Sequence, residues 1–256
     1  MSRHKRNAGA RRDRSNLYSE ITDKIITEQT GDIARIIFNQ PEKRNAVSLE
    51  MWEAVEAAMT KFAADDSVRI LILSGAGGKA FVSGADISKF ETERASKEAV
   101  AHYNATTKRV YDMVEAFPKP TIAQIDGFCV GGGVALALCC DLRICGENSA
   151  FAIPAAKLGL GYGFPGINRL VAVVGPSFAK EIFFTARRFD AEEARIMGLV
   201  NRVVPADKGA EPAAETAKMI AANAPMSNYF MVNALTRIGD MSRSDGLFTE
   251  SLAAAL

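Results

Sequence analysis

Residues 68–73 read Val-Arg-Ile-Leu-Ile-Leu, five apolar side chains in six. A strand with water on one face alternates apolar and polar residues. So uniform a run belongs in a sheet covered on both faces. A second buried strand is expected over 121–125, after Pro118 and Pro120. Strand patterns over 18–29 and 32–38 flank the turn Thr30-Gly31-Asp32, and Pro41 ends the second. Leu49, Trp52, Val55, Ala58, Met59 and Phe62 mark a helix over 49–64, with Ser48 as N-cap. A polar helical stretch runs to about Glu115, and a glycine turn at 127–133 feeds a short apolar helix and a strand. After a Gly/Pro-rich loop at 159–166, helices are expected over 176–186 and 190–197 and a short strand at 200–204. Alanine-rich helices fill 211–256. Strands alternating with helices predict an α/β fold with one core over 17–205 and a helical region over 206–256.

The net charge of +1 hides an asymmetry. Residues 1–16 carry six Lys/Arg and one Asp, and the rest of the chain, with 25 bases and 29 acids, is net −4. This leader lacks the apolar core of a signal peptide and the apolar face of a transit peptide. A disordered, solvated segment is expected, with a weak nucleic-acid contact as the alternative. No run reaches the eighteen or more apolar residues of a membrane span. Cys129, Cys139, Cys140 and Cys145 lie in or beside an apolar stretch without metal-ligand spacing, and there are two histidines. Buried, reduced thiols in a cytoplasmic protein are expected, and no metal site.

Two glycine segments carry the chemistry. Ser83-Gly84-Ala85-Asp86-Ile87 follows a predicted strand, and Gly127-Phe128-Cys129-Val130-Gly131-Gly132-Gly133 precedes a helix. Free N–H groups at such turns carry partial positive charge. Two of them converging from separate loops can bind an oxygen that becomes negative during reaction. The competing reading is that the glycines only permit tight helix–sheet packing. A dinucleotide fingerprint and a P-loop are excluded, because neither spacing is present.

The segments NQPEKRNAVS (39–48), AFVSGADI (80–87) and PKPTIAQIDGFCVGGGVALALCCDLRI (118–144) together resemble the enoyl-CoA hydratase/isomerase (crotonase) superfamily. The similarity continues through FAIPAAKLGLGYGFPGINRL (151–170) and EIFFTARRFDAEEARIMGLVNRVV (181–204), and spans roughly residues 18–250. It implies a spiral of ββα units with a C-terminal helical region that assembles homotrimers or hexamers. That region is expected to be shortened, since the chain ends at SLAAAL. It further implies an acyl-CoA substrate, with coenzyme A part of the substrate and no separate cofactor. The oxyanion-binding amides would be those of Ala85 and Gly132. Lys43, Arg44, Ala46, Gly84, Asp86, Ile87 and Gly131 would contact the CoA moiety, where cations suit phosphate.

The chain departs from the superfamily at its acid–base groups. The two glutamates that handle water in the hydratases correspond to Ala135 and Ala155, so hydration by the usual route is not expected. The segment LGLGY (158–162) is similar to that of methylmalonyl-CoA decarboxylases and places Tyr162 at their tyrosine, which helps orient the departing carboxylate. Those enzymes have histidine at the position of Ala85 and an acid at that of Ala135. Decarboxylase-like chemistry through a thioester enolate is therefore the leading expectation. A hydratase or isomerase with another acid–base group, a thioester hydrolase, retro-Claisen cleavage, and a non-catalytic CoA- or RNA-binding relative are the alternatives. His102 is expected on a helix surface, and Asp86 and Asp126 are expected to hold loops.

Overall fold

A computed structural model describes residues 22–89 and 96–237. The basic leader, residues 18–21 of the first expected strand and the end of the helical region lie outside the described residues. Two sheets form the frame. The larger contains β1 (Ile25–Thr30), β2 (Ile33–Phe38), β3 (Ile70–Gly75), β5 (Thr121–Ile125), β7 (Leu142–Gly146) and β10 (Arg202–Val204), in the order β1-β2-β3-β5-β7-β10. β1 and β2 are antiparallel and the other pairings are parallel. The smaller sheet contains β4 (Ala80–Val82), β6 (Phe128–Val130), β8 (Ala150–Ala152) and β9 (Phe189–Asp190), in that order.

The chain alternates between the sheets. β3 in the large sheet, β4 in the small one and helix α1's neighbour α2 (Lys97–Glu115) make one turn of the spiral, α1 being Leu49–Ala64. β5, β6 and α3 (Gly132–Cys139) make the next, and β7, β8 and α4 (Phe164–Thr185) the third. α4 breaks at Gly175 (φ 75°), next to Pro176. Then come α5 (Ala191–Ile196), α6 (Glu211–Ala221) and α7 (Pro225–Arg237). No helix among the described residues is long and apolar enough to cross a membrane.

The uniform apolarity of 68–73 has a direct cause. Leu71 and Leu73 face the main core, with Phe38, Trp52, Met59 and Phe81, while Ile70 and Ile72 face Ala213, Ala217 and Ala221 of α6. The strand itself begins later than expected, because residues 65–68 form a turn closed by Val68 N–H to Asp65 O (3.0 Å). β1 likewise pairs with β2 from Ile25 onward, opposite Phe38. Ser48 stands at the start of α1, but its side chain makes no capping bond. The expected loop at 159–166 is shorter, since Pro165 occupies the first turn of α4, where a missing N–H costs nothing.

Candidate active site

β4 and β6 are parallel neighbours, with a bulge between Ala80 and Val82, so their C-terminal ends release two loops side by side. Gly84 (φ 105°) and Gly131 (φ 56°) adopt backbone conformations that favour glycine. A Cβ built on Gly84 would lie 3.5 Å from the Val130 carbonyl oxygen and 3.9 Å from the Gly132 nitrogen, which shows how closely the loops approach. Gly133 serves packing: a Cβ there would meet the Val82 carbonyl oxygen at 2.0 Å. Gly133 thus meets the packing expectation, while Gly84 lets the two loops come close.

The amides are partitioned. Val47 donates to Gly84 O (2.8 Å), Asp86 donates to Val47 O (2.9 Å) and Gly131 donates to Ala152 O (2.8 Å). Ala85 N–H lies between the two bonds of the Val47 bridge, and Gly132 N–H opens α3, where intrahelical acceptors are lacking. Among the described residues, neither of these two N–H groups has an acceptor.

Small and aromatic residues pack around the start of α3. Ala135, one helical turn on, and Ala155, in the 3-10 turn Pro154–Leu158, keep 8% and 9% exposure inside an otherwise closed core. Tyr162 is half-buried and packs edge-on against Phe183, centroids 5.1 Å apart. Burial, with smaller effects from Cys139 and Cys129, pushes its phenol up to about 12. Tyr111 of α2 was not singled out from sequence. Its hydroxyl donates to Gly132 O (3.1 Å), and its ring meets Trp52 edge-on at 5.5 Å. Burial, then Tyr162 and Cys139, hold this phenol well above its ordinary value. The available signal was an aromatic residue between Val110 and Val114, on the buried stripe of an otherwise polar helix.

The ionisable residues of the signatures are occupied elsewhere. Asp86 is buried and accepts from Ser88 Oγ (2.6 Å), Ser88 N–H (3.1 Å), Lys43 Nζ (2.9 Å) and Gln40 Nε2 (3.3 Å). Burial alone would raise its carboxyl; the bonds from Ser88, Lys43 and Gln40 outweigh that and lower it. Asp126 accepts from Gln124 Nε2 (3.1 Å). His102 is 56% exposed, with Nε2 3.5 Å from Glu53. The Cys139 thiol donates to Ala135 O (3.2 Å) and is pushed up to about 12, chiefly by burial. All four cysteines are buried and unbridged.

Lys43 also reaches Ser88 Oγ (2.7 Å), so it braces Asp86. Arg44, in the left-handed region (φ 53°), places its guanidinium 4.8 Å from the Phe128 ring centroid. Arg188 approaches the same ring at 5.3 Å. With Ser83, Val130, Pro154 and Lys157 they border a cavity of about 480 Å³, and no carboxylate of the described residues lines it. Among the described residues, Arg44, Lys157 and Arg188 form no ion pair, whereas the adjacent Arg187 pairs with Glu181 and Glu193. Ala46 accepts from Gln40 Nε2 (3.0 Å), and Ile87 is 73% exposed beside the first loop.

Known proteins share the fold and much of the sequence. The sequence model described as enoyl-CoA hydratase/isomerase matches residues 28–250. Crotonyl-CoA hydratase of Syntrophomonas wolfei is 40% identical over 182 residues, 71% of this chain and 69% of that protein. Short-chain-enoyl-CoA hydratase of Clostridium acetobutylicum is 35% identical over 215 residues, 84% of this chain and 82% of that protein. Among solved structures, an enoyl-CoA hydratase/carnithine racemase from Magnetospirillum magneticum superposes with a TM-score of 0.84 at 39% identity, covering 90% of this chain and 87% of that one. An enoyl-CoA hydratase from Bacillus anthracis gives 0.86 at 33% identity, covering 91% and 90%. The chain belongs to the enoyl-CoA hydratase/isomerase family, within the crotonase superfamily.

Proposed function

We propose that this protein binds a short acyl-CoA thioester with its carbonyl oxygen between the amides of Ala85 and Gly132, and acts through the thioester enolate. The observation that carries this reading is the pair of N–H groups without acceptors among the described residues, released side by side from β4 and β6. Each such donor is worth about 3–4 kcal/mol where charge develops on the oxygen. The family relatives named as hydratases of crotonyl-CoA and short-chain enoyl-CoA support a thioester substrate. Arg44, Lys157 and Arg188 provide the charge for its phosphates, while Lys43 holds Asp86 and so the first loop. The backbone of Ala46, Gly84 to Ile87 and Gly131 would extend this path, next to Ser83 and Val130 of the cavity lining.

The favoured reaction is loss of CO₂ from a malonyl-type thioester. The bond between the α-carbon and the carboxylate breaks, and its electron pair enters the enolate held by the two amides. This step needs no base, which suits a pocket with alanine at 135 and 155. A site closed to water disfavours the carboxylate's charge and so favours its loss. Tyr162, protonated at neutral pH, orients the departing group. The competing reading is hydration, favoured by the 40% identity to a crotonyl-CoA hydratase. Exposed Phe164, Phe184, Met226, Tyr229 and Leu235 suit burial between copies in a homotrimer or hexamer. Buried unbridged thiols suit the reducing cytoplasm.

The test is direct. Purified protein is offered crotonyl-CoA, methylmalonyl-CoA and a β-keto acyl-CoA, and each is followed by mass spectrometry. Conversion of methylmalonyl-CoA to propionyl-CoA with negligible hydration of crotonyl-CoA is expected. Tyr162→Phe should slow CO₂ release about tenfold, roughly one lost hydrogen bond to a charged group. Brisk hydration of crotonyl-CoA would replace this reading with the hydratase one.

A further inference from the structure

Decarboxylation leaves a carbanion equivalent that must take up a proton, and the pocket has alanine at both positions where the hydratases carry an acid. Three protic side chains gather around the Gly132 turn and Ala135: Cys139, Tyr162 and Tyr111. The Cys139 thiol is turned onto the backbone of its own helix at Ala135 O. Tyr162 is assigned above to the carboxylate. Tyr111 is different, because its hydroxyl sits on the very residue whose N–H is offered to the thioester oxygen. It donates to Gly132 O at 3.1 Å, and a Cβ at residue 132 would lie 3.2 Å from it. Glycine at 132 thus leaves room for a phenol at the mouth of the oxygen-binding turn. The ring is fixed by its edge-on contact with buried Trp52, and α2 carries it in from a different turn of the spiral.

We infer that Tyr111 is the proton donor to the α-carbon of the enolate, an inference that rests on the thioester-enolate reading above. After CO₂ has left, the Tyr111 O–H bond breaks and its proton forms the new C–H bond. The enolate electron pair returns to the α-carbon and the thioester carbonyl re-forms. The phenolate then takes a proton from water, so one solvent proton is consumed for each CO₂ released. A thioester enolate is a far stronger base than a phenolate, so the transfer runs downhill even from a phenol held above its ordinary value. Because the donor is fixed on one side of the bound enolate, the proton arrives on one face.

The experiment uses methylmalonyl-CoA in D₂O with the wild-type chain, Tyr111→Phe and Tyr162→Phe. It reads CO₂ release and the configuration of the deuterium at carbon 2 of the propionyl-CoA. Wild type and Tyr162→Phe should give a single configuration. Tyr111→Phe should release CO₂ more slowly and give about equal amounts of both, since solvent then reaches either face. A structural brace would alter the rate but not the facial preference, so a single configuration from Tyr111→Phe overturns the inference. Should that variant melt earlier than wild type, Tyr111→Trp, which keeps an aromatic ring against Trp52, is read in the same way. Failure of the wild-type chain to release CO₂ overturns the thioester-enolate reading itself, and this inference with it.

Discussion

The two ends of α3 are treated in opposite ways. At its C-terminal end the buried Arg143 guanidinium donates to Cys140 O (2.6 Å) and Ala137 O (3.4 Å), and its Nε donates to Leu199 O (2.7 Å). Cys140 N–H closes the last turn onto Ala137 O (3.2 Å). At the N-terminal end the N–H of half-buried Gly132 has no acceptor among the described residues. Buried backbone groups are nearly always paired, because each orphan costs the equivalent of a lost hydrogen bond. One end of α3 is met by a guanidinium, and under the function proposed above the open N–H at the other end is kept for the thioester oxygen. Asp86 repeats the lesson within the first loop. Its carboxylate is saturated by Ser88, Lys43 and Gln40 and serves the scaffold, while the neighbouring Ala85 N–H meets no acceptor among the described residues.

The contrast can be sharpened at the N-terminal end itself. Gly133→Ala drives a methyl group into the Val82 carbonyl, both being backbone-anchored, and should cost about 3–5 kcal/mol in denaturant unfolding, at the top of the range for single substitutions. Gly132→Ala meets the end of the Tyr111 side chain at 3.2 Å and Gly84 Cα at an ordinary 3.7 Å, so it should cost below about 1 kcal/mol while impairing turnover more than stability. Equal losses for the two would mean that the pocket side of α3 is as fully packed as the sheet side. At the opposite end, Arg143→Met removes the donor to two closely bonded carbonyls and should lower stability by about 2–4 kcal/mol, with thioester binding retained in the folded fraction.

Asp86 gives a smaller effect with a defined pH dependence. Its folded carboxyl is held below the ordinary value, so its contribution is complete above the unfolded value of about 3.9 and fades as pH falls through the lowered one. Asp86→Asn should therefore cost about 1–3 kcal/mol at neutral pH and flatten the acid limb of a stability profile. An acid limb identical to that of wild type would show that the Lys43–Asp86 cluster does not brace the loop.

Sequence revealed the parts of this molecule that rest on continuous runs. The apolar runs in the strands at 70–75 and 121–125 and the six-residue stripe of α1 are written locally, because each residue's burial follows from its own position in the period. The small sheet is not. β8 and β9 have three and two residues, too few to show alternation, and they exist only because β6 lies alongside β8. The break at Gly175 within α4 escaped for a related reason, since the expected helix began after it. At the candidate site, the glycine signatures mark two loops that the fold brings side by side. They could not show that Tyr111, some twenty residues earlier, crosses to the Gly132 carbonyl, or that Lys43 faces Asp86 while Arg44 shares Phe128 with Arg188. Those are properties of how the spiral's turns stack.

The most direct measurement replaces one atom. Incorporating glycolic acid in place of Gly132 exchanges its N–H for an ester oxygen and leaves the glycine geometry in place. The account expects kcat on the thioester that the wild-type chain turns over to fall about 10²–10³-fold, with the unfolding midpoint little changed, because no protein acceptor loses a bond. Turnover within about threefold of wild type, far short of the loss seen when a donor to a developing oxyanion is removed, would contradict it.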